Sequence, residues 1–88
     1  MKTVPLGSLY MTPGVQERIS GDEMLAALRR HASGDWGEVC EDDKLSNDEA
    51  VIEGSRILSS FRSATNVIFW IVTENDRSAT TILLPSEY

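Results

Sequence analysis

The stretch that decides the fold is NVIFWIVT at residues 66–73, followed by ENDRS at 74–78 and ATTILL at 79–84. The outer two segments are rich in the β-branched and aromatic residues that favour strands, and the Asn, Asp and Ser between them favour a turn. This pattern predicts a β-hairpin. Because residues 67–72 are apolar at every position instead of at alternate ones, we expect a central strand with both faces at least partly covered.

The segment before the hairpin has the period of a half-exposed strand. Residues 57–62 read ILSSFR, with Ile57 and Phe61 on one side and Arg62 on the other. A turn at 64–66 links this strand to the next. Short links favour antiparallel pairing, since a parallel pair needs a crossover of about a dozen or more residues. The last third of the chain is therefore predicted to be a β-meander.

Helix signals dominate the first two thirds. Residues 6–11 predict an edge strand, and Thr12 and Pro13 then favour a short helix at 14–19. Ser20 to Glu23 is a capping box that predicts a helix over Gly21–Ala32, ended by Gly34.

Two weaker boxes follow, at residues 35–38 and 46–49. They predict two short helices with a kink near Leu45 and Ser46. Trp36 would lie in the first of them, and Gly54 would end the second. Helices followed by strands give one α+β domain over residues 1–88. Its expected architecture is a three- to four-stranded antiparallel sheet with two to three short helices packed on one face.

Charge and composition restrict the classes of function. Eight Lys and Arg against fourteen Asp and Glu give a net charge of -6, which opposes binding to phosphate backbones. We therefore expect no direct nucleic-acid binding, and a protein partner, basic in character, fits the charge better. An 88-residue chain buries about two-thirds of its unfolded surface, so a second copy would add useful stability.

Motifs for a cofactor, a metal or a membrane are not found in the sequence. The six glycines form no nucleotide-binding fingerprint, and Cys40 has no Cys or His at metal-ligand spacing. Its lone thiol is consistent with a reducing compartment. The longest apolar run has six residues, where a membrane span needs about twenty. We expect a cytoplasmic protein that needs no cofactor and no metal.

Acidic residues crowd the middle of the chain, where Lys44 is the only cation among seven acids in sixteen residues. Their spacing does not match a calcium-binding loop. The candidate binding residues are Glu38, Glu41, Asp42, Asp43, Asp48 and Glu49, with Glu53 beyond them.

A second candidate site would combine the hairpin loop with a histidine near a helix end. In it, His31 would be a general base oriented by Asp35, and Arg77 would bind an anion. We prefer structural roles for these residues, because Asn and Asp commonly form turns and a helix-terminal His commonly bonds a last carbonyl. The residues of this alternative site are His31, Asp35, Trp36, Glu74, Asp76, Arg77 and Ser78.

The sequence resembles a group of small bacterial proteins labelled plasmid-related. The resemblance rests on HASGDWG at 31–37, on Asp43 and Lys44, and above all on TENDRSATT at 73–81 with LPSEY at 84–88. It implies a compact bacterial domain associated with plasmids or other mobile elements, and it implies no catalytic residue.

The expected function is that of an accessory or regulatory protein that binds a protein partner through its acidic helices. One alternative is a small-ligand-binding or hydrolytic enzyme that uses the 73–78 loop with His31 and Asp35. Another is a nucleic-acid mimic that occupies a DNA- or RNA-binding protein. The sequence favours a binding protein over an enzyme, because it holds a single histidine and no known nucleophile motif.

Overall fold

A mixed four-stranded sheet and three α-helices make up the fold in the computed structural model, which describes residues 3–88. The α+β class and the number of strands are as predicted. The elements in chain order are β1 (Ser8–Met11), α1 (Pro13–Arg18), α2 (Gly21–Ala32), α3 (Glu41–Glu53), β2 (Ile57–Arg62), β3 (Ile68–Thr73), β4 (Ala79–Leu83) and one 3-10 turn (Pro85–Glu87).

The C-terminal meander is confirmed. The strands lie in the order β1-β4-β3-β2, and β3 runs antiparallel to both of its neighbours. Ile71 lies opposite Ser59 on one side and Ile82 on the other. Phe69 is buried on the face that the helices cover, while Val72 is buried on the opposite face. The prediction of a central strand with both faces at least partly covered therefore holds.

Strand β1 differs from the expected antiparallel pairing. It lies at the sheet edge, as predicted, but pairs parallel with β4, Leu9 opposite Thr80. The argument for antiparallel pairing applied to strands joined by short links. Because all three helices and two strands separate β1 from β4 along the chain, the connection is long enough for a parallel pair.

The prediction of two short helices with a kink near Leu45 and Ser46 is wrong. Helix α3 is one helix of 13 residues, ended at Gly54 in the left-handed conformation as expected. Three acids in its first turn complement the helix dipole, and the box beginning at Ser46 falls inside the helix. The predicted helix around Trp36 is also absent from this part of the chain, because Gly34 and Gly37 both have positive φ.

The hydrophobic core lies between the sheet and the first two helices. Val15, Ile19 and Leu28 from the helices pack against Phe69 and Ile82 from the sheet. A smaller cluster beside β2 holds Val4, Trp36, Ala50 and Ile57. The second cluster joins α3 to the sheet.

The outer edge of β2 is covered by other parts of the chain. The Ser60 N–H donates to the Trp36 carbonyl at 3.1 Å, and the Glu38 N–H donates to the Ser60 carbonyl at 2.7 Å. Farther along, the Asn47 amide donates to the Leu58 carbonyl at 2.8 Å. These bonds occupy main-chain groups that another strand would need.

The outer edge of β1 has a different environment. The N–H groups of Ser8 and Thr12 donate to carbonyls of Ser78 and Ile82, beside or within β4. The N–H groups of successive residues point to opposite sides of a strand. The amides of Leu9 and Met11 therefore face away from β4. The Met11 carbonyl accepts a bond from the Gln16 side chain at 3.0 Å. In the described chain β1 has a strand neighbour on one side only.

Candidate functional site

His31 lies in the interior, completely excluded from solvent. Its Nδ1 is 2.5 Å from Ser59 Oγ, and its Nε2 is 2.8 Å from Thr73 Oγ1. Thr73 Oγ1 is in turn 2.8 Å from Thr80 Oγ1, which donates to the Leu6 carbonyl. This chain of bonds crosses three strands and satisfies both ring nitrogens.

Burial, and secondarily the charge of Arg77, lowers the pKa of His31 from 6.5 to about 4. The ring is therefore neutral at neutral pH. The Trp36 ring packs edge-on against it, with centroids 5.7 Å apart. A buried imidazole with both nitrogens bonded to hydroxyls crosslinks the sheet to α2, and no solvent path leads to it for a substrate.

Asp35 is committed to an ion pair at the surface. The Arg30 guanidinium donates to its two oxygens at 2.7 and 3.3 Å, and the Gly37 N–H donates to one of them. The hydrogen bond from Arg30 is the main reason that the pKa of Asp35 is lowered. Asp35 thus fixes the turn that leads to Trp36 and does not orient His31.

The hairpin loop is held by Arg77, whose φ of 62° is unusual for a residue with a side chain. Its guanidinium donates to the carbonyls of Ser55 at 2.6 Å, Ala50 at 2.7 Å and Glu74 at 3.0 Å. The loop is thereby fastened to the C-terminal end of α3, at the Ala50 carbonyl that also accepts the N–H groups of Gly54 and Ser55.

The acids of the loop also have local roles. Asp76 accepts bonds from Ser78 that lower its pKa. Glu74 lies 3.6 Å from Arg56. The depression of about 350 Å³ that Asp35 and Trp36 line includes neither His31 nor Arg77. The structure therefore does not bring the alternative site residues together around a shared cavity in the part of the chain it describes.

Three of the acidic candidates lie apart from the others. Glu38 precedes α3 and forms a two-pronged ion pair with Arg62 at 3.1 Å. Asp48 is half-buried and accepts a hydrogen bond from the Trp36 indole at 2.9 Å. Asp43 lines depressions beside Leu58 of β2. These three carboxylates do not share one surface with the rest.

The remaining acids form what we call the outward face of α3. At 100° per residue, its members fall within an arc of about 120°, opposite the buried Asn47 and Ala50. Leu45, which precedes Glu49 along the helix, is 59% exposed, and Ile52, which follows it, is 85% exposed. The outward face comprises Glu41, Asp42, Leu45, Glu49, Ile52 and Glu53.

Leu45 and Ile52 were not among the predicted site residues. They are seven residues apart, so on one continuous helix they lie on the same side. The predicted kink at Leu45 separated them. A helical wheel drawn over the whole of α3 would have placed both among the acids.

Neither metal-ligand clusters nor known proteins give a further indication of function. Within residues 3–88 no cluster of three or more His, Cys, Asp or Glu could hold a metal ion, and no helix there is long and apolar enough to cross a membrane. Comparison of the chain with protein-family models, with curated proteins and with solved structures finds no match.

Proposed function

We propose that the protein is a small accessory or regulatory protein that binds a basic protein partner through the outward face of α3. Its resemblance to plasmid-related proteins supports a bacterial mobile element as the setting. The proposal keeps Glu41, Asp42 and Glu49 from the predicted site and adds Leu45 and Ile52.

The exposure of Ile52 carries this proposal. An isoleucine that is 85% exposed on a helix gains nothing from folding, whereas burying such a side chain is worth about 1.5–3 kcal/mol. A single exposed residue of this kind is ordinary. Leu45 on the same face makes two, and both share that face with exposed carboxylates. Apolar anchors inside a charged rim are typical of protein interfaces.

The charges add selectivity for the partner. Glu41, Asp42, Glu49 and Glu53 are exposed on this face. Such a surface attracts a basic partner, repels acidic ones and accelerates the encounter at low salt. The enzyme alternative has less support, because His31 is buried and both of its nitrogens are bonded.

Affinity purification from host lysate tests the proposal. The wild type, Glu49→Lys and Ile52→Ser would be used as baits, and the captured proteins would be quantified by mass spectrometry. Both variants are expected to lose a basic protein that the wild type captures, since one reverses a charge and the other removes an anchor.

Glu17→Lys is the matched control, because it makes the same charge change on the exposed side of α1. It is expected to retain the partner. Loss of the same protein by all three variants would show a general effect of charge and contradict the proposal, as would equal capture by all of them. Release of the partner by added DNA would favour nucleic-acid mimicry.

A further inference from the structure

A second surface, far from α3, has an apolar groove beside an open strand edge. The groove measures about 320 Å³ and lies between β1 and α2. Leu9, Met11 and Leu25 on its rim are 54%, 49% and 48% exposed. The residues that line it and enter the argument are Leu9, Met11, Met24, Leu25, Leu28 and Ile82.

We infer that this surface binds a second copy of the chain, β1 against β1 in antiparallel orientation, to form a continuous eight-stranded sheet. A two-fold axis at Leu9 lets the outward N–H and C=O of each Leu9 bond those of its counterpart. Leu9 and its copy then lie opposite each other on the face of the sheet that carries the helices.

The position of α2 leaves the helix side of β1 open for this pairing. His31 of α2 bonds Ser59 of β2 and Thr73 of β3, so the helix lies over the middle of the sheet. It does not cover β1, where Leu9 and Met11 remain about half exposed. In the dimer the two Leu9 side chains cover each other, and the two grooves form one apolar strip between the α2 helices.

Charge favours this arrangement. Strand β1 carries no charge, and the acidic α3 packs at the opposite sheet edge, against β2. Two copies joined at β1 therefore keep their most acidic helices apart.

The size of the surface predicts a weak dimer. Strand β1 has 4 residues, a length of about 13 Å. A patch built on so short a strand falls below the standard of about 800 Å² per partner. We expect the dimer to form at high micromolar concentration and to dissociate on dilution.

Sedimentation equilibrium of the full chain, from micromolar to near-millimolar concentration, tests the inference. The wild type is expected to rise from 9.7 kDa towards twice that mass. Leu9→Lys is expected to stay monomeric throughout, because it places a charge at the two-fold axis. Ile52→Lys, an identical charge placed on the outward face of α3, is the matched control and is expected to dimerise like the wild type.

Circular dichroism of each variant confirms that the fold is kept. A monomeric wild type at every concentration would overturn the inference. So would dimerisation lost in Ile52→Lys and kept in Leu9→Lys. This test needs no partner protein, so its failure and that of the proposed function are separable.

Discussion

The two edges of the sheet are treated in opposite ways. At β2, the main chain of Trp36 and Glu38 pairs with Ser60, and the Asn47 side chain pairs with Leu58. At β1, the amides of Leu9 and Met11 face outward beside exposed apolar side chains. The chain thus uses a loop and a helix to close one edge, and nothing of comparable extent from residues 3–88 lies along the other.

The difference shows how one small domain can carry two kinds of surface. An open strand edge invites another strand, and proteins usually cover or charge such edges. Here the covered edge is next to the acidic helix, and the open edge is uncharged and apolar. A charged helix beside a closed edge suits a partner that docks side chains, whereas an open apolar edge suits a strand.

Removing the side chain that anchors the segment covering β2 should have the largest effect. Trp36→Ala deletes a buried indole and its bond to Asp48, which should lower the free energy of unfolding by about 3–5 kcal/mol. Tyr10→Ala at the open edge is the matched change, with an expected loss of about 0.5 kcal/mol or less. Urea denaturation at low protein concentration measures both. Similar losses at the two edges would refute the contrast.

The buried His31 should make the closed half sensitive to acid. Its pKa of about 4 lies below the value of about 6.5 expected in the unfolded chain, so the unfolded state binds more protons between these values. The contribution of His31 to the free energy of unfolding should therefore be complete above pH 6.5. The free energy of unfolding should fall by about 3 kcal/mol as the pH drops to 4.

Denaturation curves of the wild type and His31→Gln check this pH dependence. The variant should be less stable at neutral pH and nearly flat between pH 6.5 and 4.5, since the lowered pKa values of Asp35, Asp76 and Glu87 act at lower pH. If the free energy of unfolding of His31→Gln fell as steeply with pH as that of the wild type in this window, a group other than His31 would be responsible.

A smaller loss is expected at Asn47, which covers part of the β2 edge with one amide group. Asn47→Ala leaves the Leu58 carbonyl without its 2.8 Å donor and should cost about 1–3 kcal/mol. The Leu58 N–H also loses its acceptor, Asn47 Oδ1 at 3.4 Å, so its exchange should accelerate, while that of Ile71 in the centre of the sheet changes only with global stability. An unchanged Leu58 amide would mean that Asn47 does not protect the edge.

The smallest effect on stability is expected at the open edge itself. Leu9→Lys alters a side chain that is more than half exposed, so it should change the free energy of unfolding of the monomer by about 0.5 kcal/mol or less. Thermal unfolding at low micromolar concentration measures this. A loss of several kilocalories would show that Leu9 belongs to the core of a single copy.

The sequence predicted the elements that depend on local patterns. These patterns involve residues that are close together in the sequence: the capping box at Ser20, the alternation at 57–62 and the apolar run at 67–72. The structure has α2, β2 and β3 at these places. Parallel pairing of β1 with β4 depends on contacts between the two ends of the chain, so no local pattern indicates it.

The candidate sites were less predictable for the same reason. A histidine, an aspartate and an arginine are residue types that catalytic sites often use, as are His31, Asp35 and Arg77 here. Only their hydrogen-bond partners in the folded chain show that each has a structural role. The acidic residues were found from composition, but the division among Glu38, Asp48 and the outward face of α3 depends on which side of the helix meets β2. Leu45 and Ile52 were visible as a helical stripe only if α3 was taken as one helix.

The central claim is that β2 has a closed edge, while β1 has an edge that a second copy covers. Amide hydrogen exchange of the wild type at two protein concentrations tests it most directly. The Ser60 amide should be protected equally at both, because its partner is Trp36 of the same chain. The Leu9 amide should exchange rapidly in the dilute sample and become protected in the concentrated one. Rapid exchange of Leu9 at both concentrations, or an unprotected Ser60, would contradict the account.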